Sequence, residues 1–268
     1  MKKILCKFWF IVLLVIILMS IIAPVICKFN PSEVNLNEVL LKPNSIHIMG
    51  TDNVGRDIFS RILYGGRVSL SIAIFSVMIS TIIGIVYGGI SGYFGGIIDS
   101  FMMRILDSFL SIPSLVVMLA FQSIVRGGVL SMILIIGFTG WLKTARIVRA
   151  QFISIKNKNY VKVAKVLGTP TIKIMINHLL KNSISAILVV AILNCSEAVF
   201  MEVSMSFLGI GVKEGIPSWG NMLNNAQSDI LAGAWWVALF PGLFIIVSML
   251  SINFIGDEIK NKLSKYTL

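Results

Sequence analysis

Residues 157–182 read NKNYVKVAKVLGTPTIKIMINHLLKN, a basic, broken, amphipathic segment in an otherwise oily chain. It is too polar to span a membrane and too apolar for a loose linker. Tyr160, Val163, Ala164 and Leu167 recur at helical spacing and form one apolar stripe, with Lys158, Lys162 and Lys165 on the other side. Gly168 is a natural helix stop, because glycine accepts a left-handed cap. Pro170 suits the first turn of a new helix with Thr169 as its N-cap. Ile172, Ile176 and Leu179 then give a second stripe. The spacing predicts a helix, a tight break and a helix. Two roles fit that unit: surface helices lying on anionic lipid, or a docking element whose helix enters a partner's groove.

The surrounding composition says what kind of chain carries this segment. Its 268 residues are 56% hydrophobic and 13% charged, with a mean hydropathy of +0.91. Soluble domains carry roughly a quarter charged residues, so the chain falls in the membrane class. A net charge of +11 would suggest nucleic acid in a soluble protein. Here the basic residues lie between long apolar runs, which points to cytoplasmic loops beside membrane lipid and to no nucleic acid. Cys6, Cys27 and Cys195 form no C-x-x-C, so neither zinc nor redox chemistry is indicated. With His47 and His178 the only histidines, no protein-borne metal cage is expected, and the thirteen methionines read as flexible packing.

A spanning helix needs about 20 mostly apolar residues. Six runs are read as spans: 8–27, 68–93, 101–125, 129–145, 183–205 and 233–255. The first is too long for a signal-peptide core and precedes no small-x-small cleavage site, so it reads as an uncleaved helix. The fold class expected is therefore all-α, a polytopic membrane protein of six transmembrane helices with both termini on one side. The 143–181 loop holds nine Lys or Arg and no acid, and the tail adds Lys260, Lys262 and Lys265. The 28–67 segment is nearly balanced. This asymmetry predicts that the termini and the basic loop are cytoplasmic. Trp219, Trp235 and Trp236 then fall near the outer interface, where aromatic belts sit.

Polar groups within the spans are the remaining candidates. Charges there are costly and face a partner, a cavity or the interior. Glu197 and Glu202, five residues apart, point roughly 140° apart around a helix. Both are candidates for a substrate pathway, and Glu202 equally for a polar link to a partner. Asp107 is expected to pair with Arg104, three residues earlier. Asp52, Arg56, Asp57 and Arg61, at the mouth of the second span, read as a network fixing that helix end. Gly84 and Gly88 form a G-x-x-x-G face for close helix packing, within the chain or with a partner. Serine, histidine and acid do not converge, and no metal-ligand spacing appears. The chain has no G-x-x-x-x-G-K-[ST] phosphate loop and so is not expected to power transport itself.

The basic segment is similar to the "EAA" loop of ABC-importer permeases, a pattern of roughly E-A-A-x-x-x-G followed by I-x-L-P. YVKVAKVLG at 160–168 lines up with it. GTDNVGRDIFSRILYGGRVSL at 50–70 resembles the block before the second helix of the dipeptide, oligopeptide and nickel permease family. SMSFLGIGV with PSWGNML, between 204 and 223, resembles the segment after that family's fifth helix, and FPGLFIIVSMLSINFIGDEIKNKL at 240–263 its last helix and tail. Four blocks in order, over about 46–263, make the resemblance specific.

The resemblance implies a subunit of a binding-protein-dependent importer. Its partners would be a second homologous permease, one or two cytoplasmic ABC ATPases that use ATP and Mg, and an external substrate-binding protein. The chain itself would be a non-catalytic inner-membrane subunit that binds no cofactor or metal. Residues 1–67 would be an N-terminal helix plus an external segment, and 68–268 the permease core, with a cytoplasmic coupling loop at 146–182. Tyr160, Lys162, Val163, Ala164, Leu167 and Gly168 would dock into the ATPase. Two positions depart from the pattern: Lys162 stands at the glutamate, and Lys181 at the proline of the L-P element. The lysine requires a compensating acid on the partner or the loss of that contact, and Lys181 lets the second helix run on into the next span. Cargo would be short peptides or nickel and other metal chelates, and the two departures lean towards the nickel branch. The alternative, a secondary transporter or channel working without an ATPase, predicts internal repeats with paired broken helices.

Overall fold

The computed structural model describes residues 2–125, 127–213 and 215–265, and its architecture is all-α. The segments that position the site are α1 (Lys2–Ile21), α2 (Ile58–Phe94), α3 (Gly96–Leu110), α4 (Ser114–Ile124), α5 (Val129–Thr139) and α6 (Trp141–Lys156). They are followed by α7 (Asn159–Val166), the long α8 (Thr171–Phe207), α9 (Trp219–Leu231) and α10 (Trp236–Lys265).

Four helical runs are long and apolar enough to cross a membrane: α2, α5 with α6, α8, and α10 as far as Leu263. α3 and α4 meet at 81° and qualify only as a bent pair. This corrects the single helix expected over 101–125. Pro113 has no N–H to donate and pushes Ile112 out of helical geometry, so the helix stops and restarts there. α1 is apolar over Lys7–Ile21. α2 starts at Ile58, ten residues before the apolar run suggested, because Asp57 accepts a hydrogen bond from the Ser60 N–H at 2.8 Å and caps it.

The runs pass between two ends of the molecule. At one end Ile58 and Ile62 of α2 pack with Met222 and Ala226 of α9 and with Trp236 and Val237 of α10. At the other, Val148, Phe152 and Ile155 of α6 pack with Val161 of α7 and with Ile174, Leu179 and Ile187 of α8. Trp9 of α1 stacks on Phe254, in the later half of α10, with ring centroids 5.2 Å apart. The bent pair also runs from end to end. Gly92, just before α3, lies against Lys156, and Gly127, after α4, lies against Gly211, after α8.

Between the ends lies one continuous core that includes Ile16, Leu70, Ile72, Met132, Val199, Met205, Trp219 and Ile252. Because α1 and α2 contribute to it together and α2 runs unbroken through residues 67 and 68, packing has no boundary at that point. Of the three tryptophans expected near the outer interface, two turn into the bundle. Trp219 and Trp236 are buried, with their indoles donating to the carbonyls of Ile62 (3.0 Å) and Thr51 (3.2 Å); Trp235 is exposed. A buried indole N–H needs such a partner.

The G-x-x-x-G face is used within the chain. A Cβ on Gly84 would lie 2.6 Å from Cβ of Thr144, and one on Gly88 would run into the carbonyl of Ala145. The two glycines thus let α2 and α6 touch backbone to backbone.

Candidate functional site

The α7 unit is built as a short helix with a firm stop. Gly168 adopts φ +76°. Its N–H donates to the Lys165 carbonyl, and the Thr169 N–H to the Ala164 carbonyl, both at 3.1 Å. Those two bonds make a Schellman motif, which satisfies carbonyls that the helix end would leave bare. Pro170, rather than Thr169, stands at the N-cap of the next helix, with φ −55° and ψ 141°. That helix continues through a π-type stretch, Met175–Leu180, into the span that begins at Lys181, so α8 is continuous over 37 residues. With lysine in place of proline, the backbone N–H needed for that continuity is present: Lys181 donates to the Ile176 carbonyl.

The expected apolar stripe is divided between two faces. Ala164 turns inward with Val161; both are buried, and Val161 packs with Phe152, Ile174 and Leu179. Tyr160, Val163, Val166 and Leu167 point away from the bundle and are exposed, as are Ile172 and Ile176 nearby. Val166 and Leu167 are 87% and 78% exposed, far more than anchoring residues would be. Fully burying one such side chain is worth about 1.5–3 kcal/mol, so this face has several kcal/mol to gain from a partner. Lys158, Lys162 and Lys165 ring it, all exposed and, among the described residues, without an ion pair.

A second feature is a cavity of about 600 Å³ between α2, the α3–α4 bend, α5 with the start of α6, and α8. Glu197 lines it and is held by Lys143, whose Nζ donates to the two carboxylate oxygens at 2.6 and 2.8 Å. Sequence reading counted Lys143 only as one charge of the basic loop. A partner 54 residues away leaves no local signal. Glu202 faces neither the cavity nor a free surface, which corrects both roles expected of it. It is fully buried, accepts from the Ser206 hydroxyl at 2.9 Å and lies beside Ser69 and Ser218. The five-residue spacing turns the two glutamates to different sides of α8, one to the cavity and one into the junction with α2 and α9.

Asp107 is not paired with Arg104. Its carboxylate takes Arg146 of α6 at 2.5 Å, while Arg104 is exposed and makes no ion pair among the described residues. About two turns earlier in α3 and one turn later in α6, Arg149 grips Asp99 through two nitrogens at 2.5 and 2.6 Å, and Ser91 also donates to Asp99. These two bridges clamp α3 against α6, and neither was visible in local sequence.

At the opposite end, Asp52 accepts from the backbone N–H groups of Val54 (3.1 Å) and Arg56 (2.9 Å) and from Arg56 Nε (2.7 Å). Arg61 lies 3.6 Å from the same carboxylate and donates to the Pro31 carbonyl at 2.9 Å. Asp57, besides capping α2, contacts His47 Nδ1 at 2.9 Å. Asp52, Arg56 and Asp57 thus tie the 28–57 segment onto the start of α2. His47 is a member that sequence reading left out. Among the described residues, no group of three His, Cys, Asp or Glu is placed to hold a metal ion.

Comparison with known proteins gives the geometry its context. The family model for the binding-protein-dependent transport system inner membrane component matches residues 80–265. The chain is 38% identical to the dipeptide transport system permease protein DppC of Bacillus subtilis, over 94% of this chain and 79% of that protein. It is 35% identical to the oligopeptide transport system permease protein OppC of the same organism, over 94% and 83%. Against the dipeptide permease DppC of Haemophilus influenzae it is again 35% identical, over 94% and 88%. An all-α bundle with apolar end-to-end helices, a presented helix α7 and a cavity between those helices belongs, with these matches, to a multi-pass inner-membrane chain of the binding-protein-dependent ABC importer permease family, in its peptide branch.

Proposed function

We propose that this chain forms half of the substrate pathway of an ATP-driven peptide importer and couples it to a cytoplasmic ATPase through the exposed face of α7. The observation that carries the proposal is the division of α7 into two apolar faces. One anchors it to α6 and α8, and the other leaves Val163 and Leu167 exposed, with Tyr160 half-exposed beside the His178 ring. A presented apolar helix face with a firm end suits helix-in-groove docking. Hydrolysis belongs to the ATPase, which uses ATP and Mg, and a second permease completes the pathway. An external binding protein delivers substrate. The peptide names of the relatives favour peptides over nickel chelates as cargo. Lys162 would meet an acid on the ATPase. The reading has six membrane crossings, with both termini and the 146–182 coupling loop in the cytoplasm and the 28–57 segment outside. The end-to-end course of α1, α2, the bent pair, α5 with α6, α8 and α10 supports it.

The test uses the complete importer in proteoliposomes. Val163→Asp and Leu167→Asp lie on the exposed face, so the chain should insert normally. Each should lose co-purification of the ATPase and lower substrate-stimulated ATP hydrolysis by at least about tenfold, a loss of the size hot-spot residues give. Wild-type hydrolysis in both variants, or uptake that needs no ATP, refutes the docking role.

A further inference from the structure

The cavity has a volume of about 600 Å³, inside the range that holds small organic ligands. Its walls are mostly apolar, with Val77, Phe121, Ile135 and Met201 among them. Lys143 and Glu197 are the only charged residues on its lining among the described residues. They are paired with one another, and the pair is still open to water, with side chains 59% and 37% exposed. An ion pair that open is worth about 0–1 kcal/mol, so little is lost when it parts.

We propose that the Lys143–Glu197 pair is a clasp for zwitterionic substrates, a peptide with both termini free. This rests on the peptide-permease reading above. The substrate's ammonium takes the place of Lys143 at Glu197, and its carboxylate takes the place of Glu197 at Lys143. The exchange turns one ion pair into two and leaves no charge unpaired inside an apolar cavity. A solute with one charge opens the pair, displaces the water around it and strands either the lysine or the glutamate, and a charge left unpaired once its water is displaced is costly. A neutral solute leaves the pair closed and gains no charge contact. The site therefore selects for one positive and one negative group together, without reading side chains.

The experiment is saturation-transfer NMR on the complete importer in lipid nanodiscs, with the binding protein left out so that its selectivity does not enter. The probes are Ala-Ala, N-acetyl-Ala-Ala and Ala-Ala-amide. The wild type should bind Ala-Ala at least about tenfold more tightly than either blocked form, about 1.4 kcal/mol. Glu197→Gln should abolish the preference over the acetylated form, and Lys143→Gln the preference over the amide. Exchanging the two charges, Lys143→Glu with Glu197→Lys, should restore both preferences and shows that the single losses are not misfolding. No preference in the wild type, or wild-type preferences in both single variants, overturns the clasp. If the wild-type importer, sealed in proteoliposomes with its binding protein restored, still takes up Ala-Ala with ATP, only the clasp has failed. If ATP-driven uptake is absent as well, the permease reading has failed with it.

Discussion

Gly168 controls where the docking helix ends. Its φ of +76° lies in the left-handed region, and the space where a Cβ would stand is empty within 4 Å. Any penalty for a side chain there is therefore backbone strain alone, about 1–2 kcal/mol for an ordinary residue and less for asparagine. Gly168→Ala is expected to loosen the end of α7, seen as faster hydrogen exchange at the Val166–Gly168 amides, and to weaken ATPase stimulation. Gly168→Asn should restore most of both. Equal effects from the two variants would show that something other than backbone conformation is at stake. The stop was legible in the sequence because glycine before Thr-Pro has few other uses. Which apolar residues turn inward was not. α7 is apolar on two sides, and only tertiary neighbours select the inner one: Val161 packs with Phe152, Ile174 and Leu179. Asp107 gives the same lesson: Arg104 is near in sequence, but Arg146, 39 residues away, is near in space.

Among the elements, α2 and α6 make the closest contact, and Gly84, Gly88 and Gly92 permit it. Overpacking a tight contact typically costs about 1–3 kcal/mol. Gly88→Ala should lower the thermal midpoint of the detergent-purified importer accordingly, because the new methyl meets the rigid carbonyl of Ala145. Gly242 is the control. It lies in α10 with nothing within 4 Å of a Cβ and no positive φ, so Gly242→Ala should be neutral or gain up to about 1 kcal/mol in helix propensity. A midpoint unchanged by Gly88→Ala would mean that the two helices separate more readily than their packing implies. Composition made the small-residue face visible, and periodicity gave the apolar runs. Breaks were harder. Pro113 stood in plain view, yet the hydropathy around it is high enough to carry one reading through 101–125. α2's early start was hidden because its first turns include Ser60 and Arg61, whose burial depends on the folded 28–57 segment.

For the whole molecule, sidedness turns on the bent α3–α4 pair. Suppose each unbroken run crosses once. If the pair crosses too, the 28–57 segment and α7 lie on opposite faces of the membrane. If it re-enters, α5 and α6 carry α7 to the same face as the 28–57 segment. The geometry favours crossing, since Gly92 sits beside Lys156 while Gly127 sits beside Gly211 at the other end. Charge agrees, because the nine basic residues of 143–181 with no acid would be costly to export. Single cysteines at two exposed positions, Lys165→Cys and Asn37→Cys, in a chain freed of Cys6, Cys27 and Cys195, test it with a membrane-impermeant maleimide. Right-side-out vesicles should label only Asn37→Cys, and inside-out vesicles only Lys165→Cys. Labelling of both from the outside would make the bent pair re-entrant. It would put α7 beyond the reach of a cytoplasmic ATPase and, with it, end the docking role of Tyr160, Val163 and Leu167.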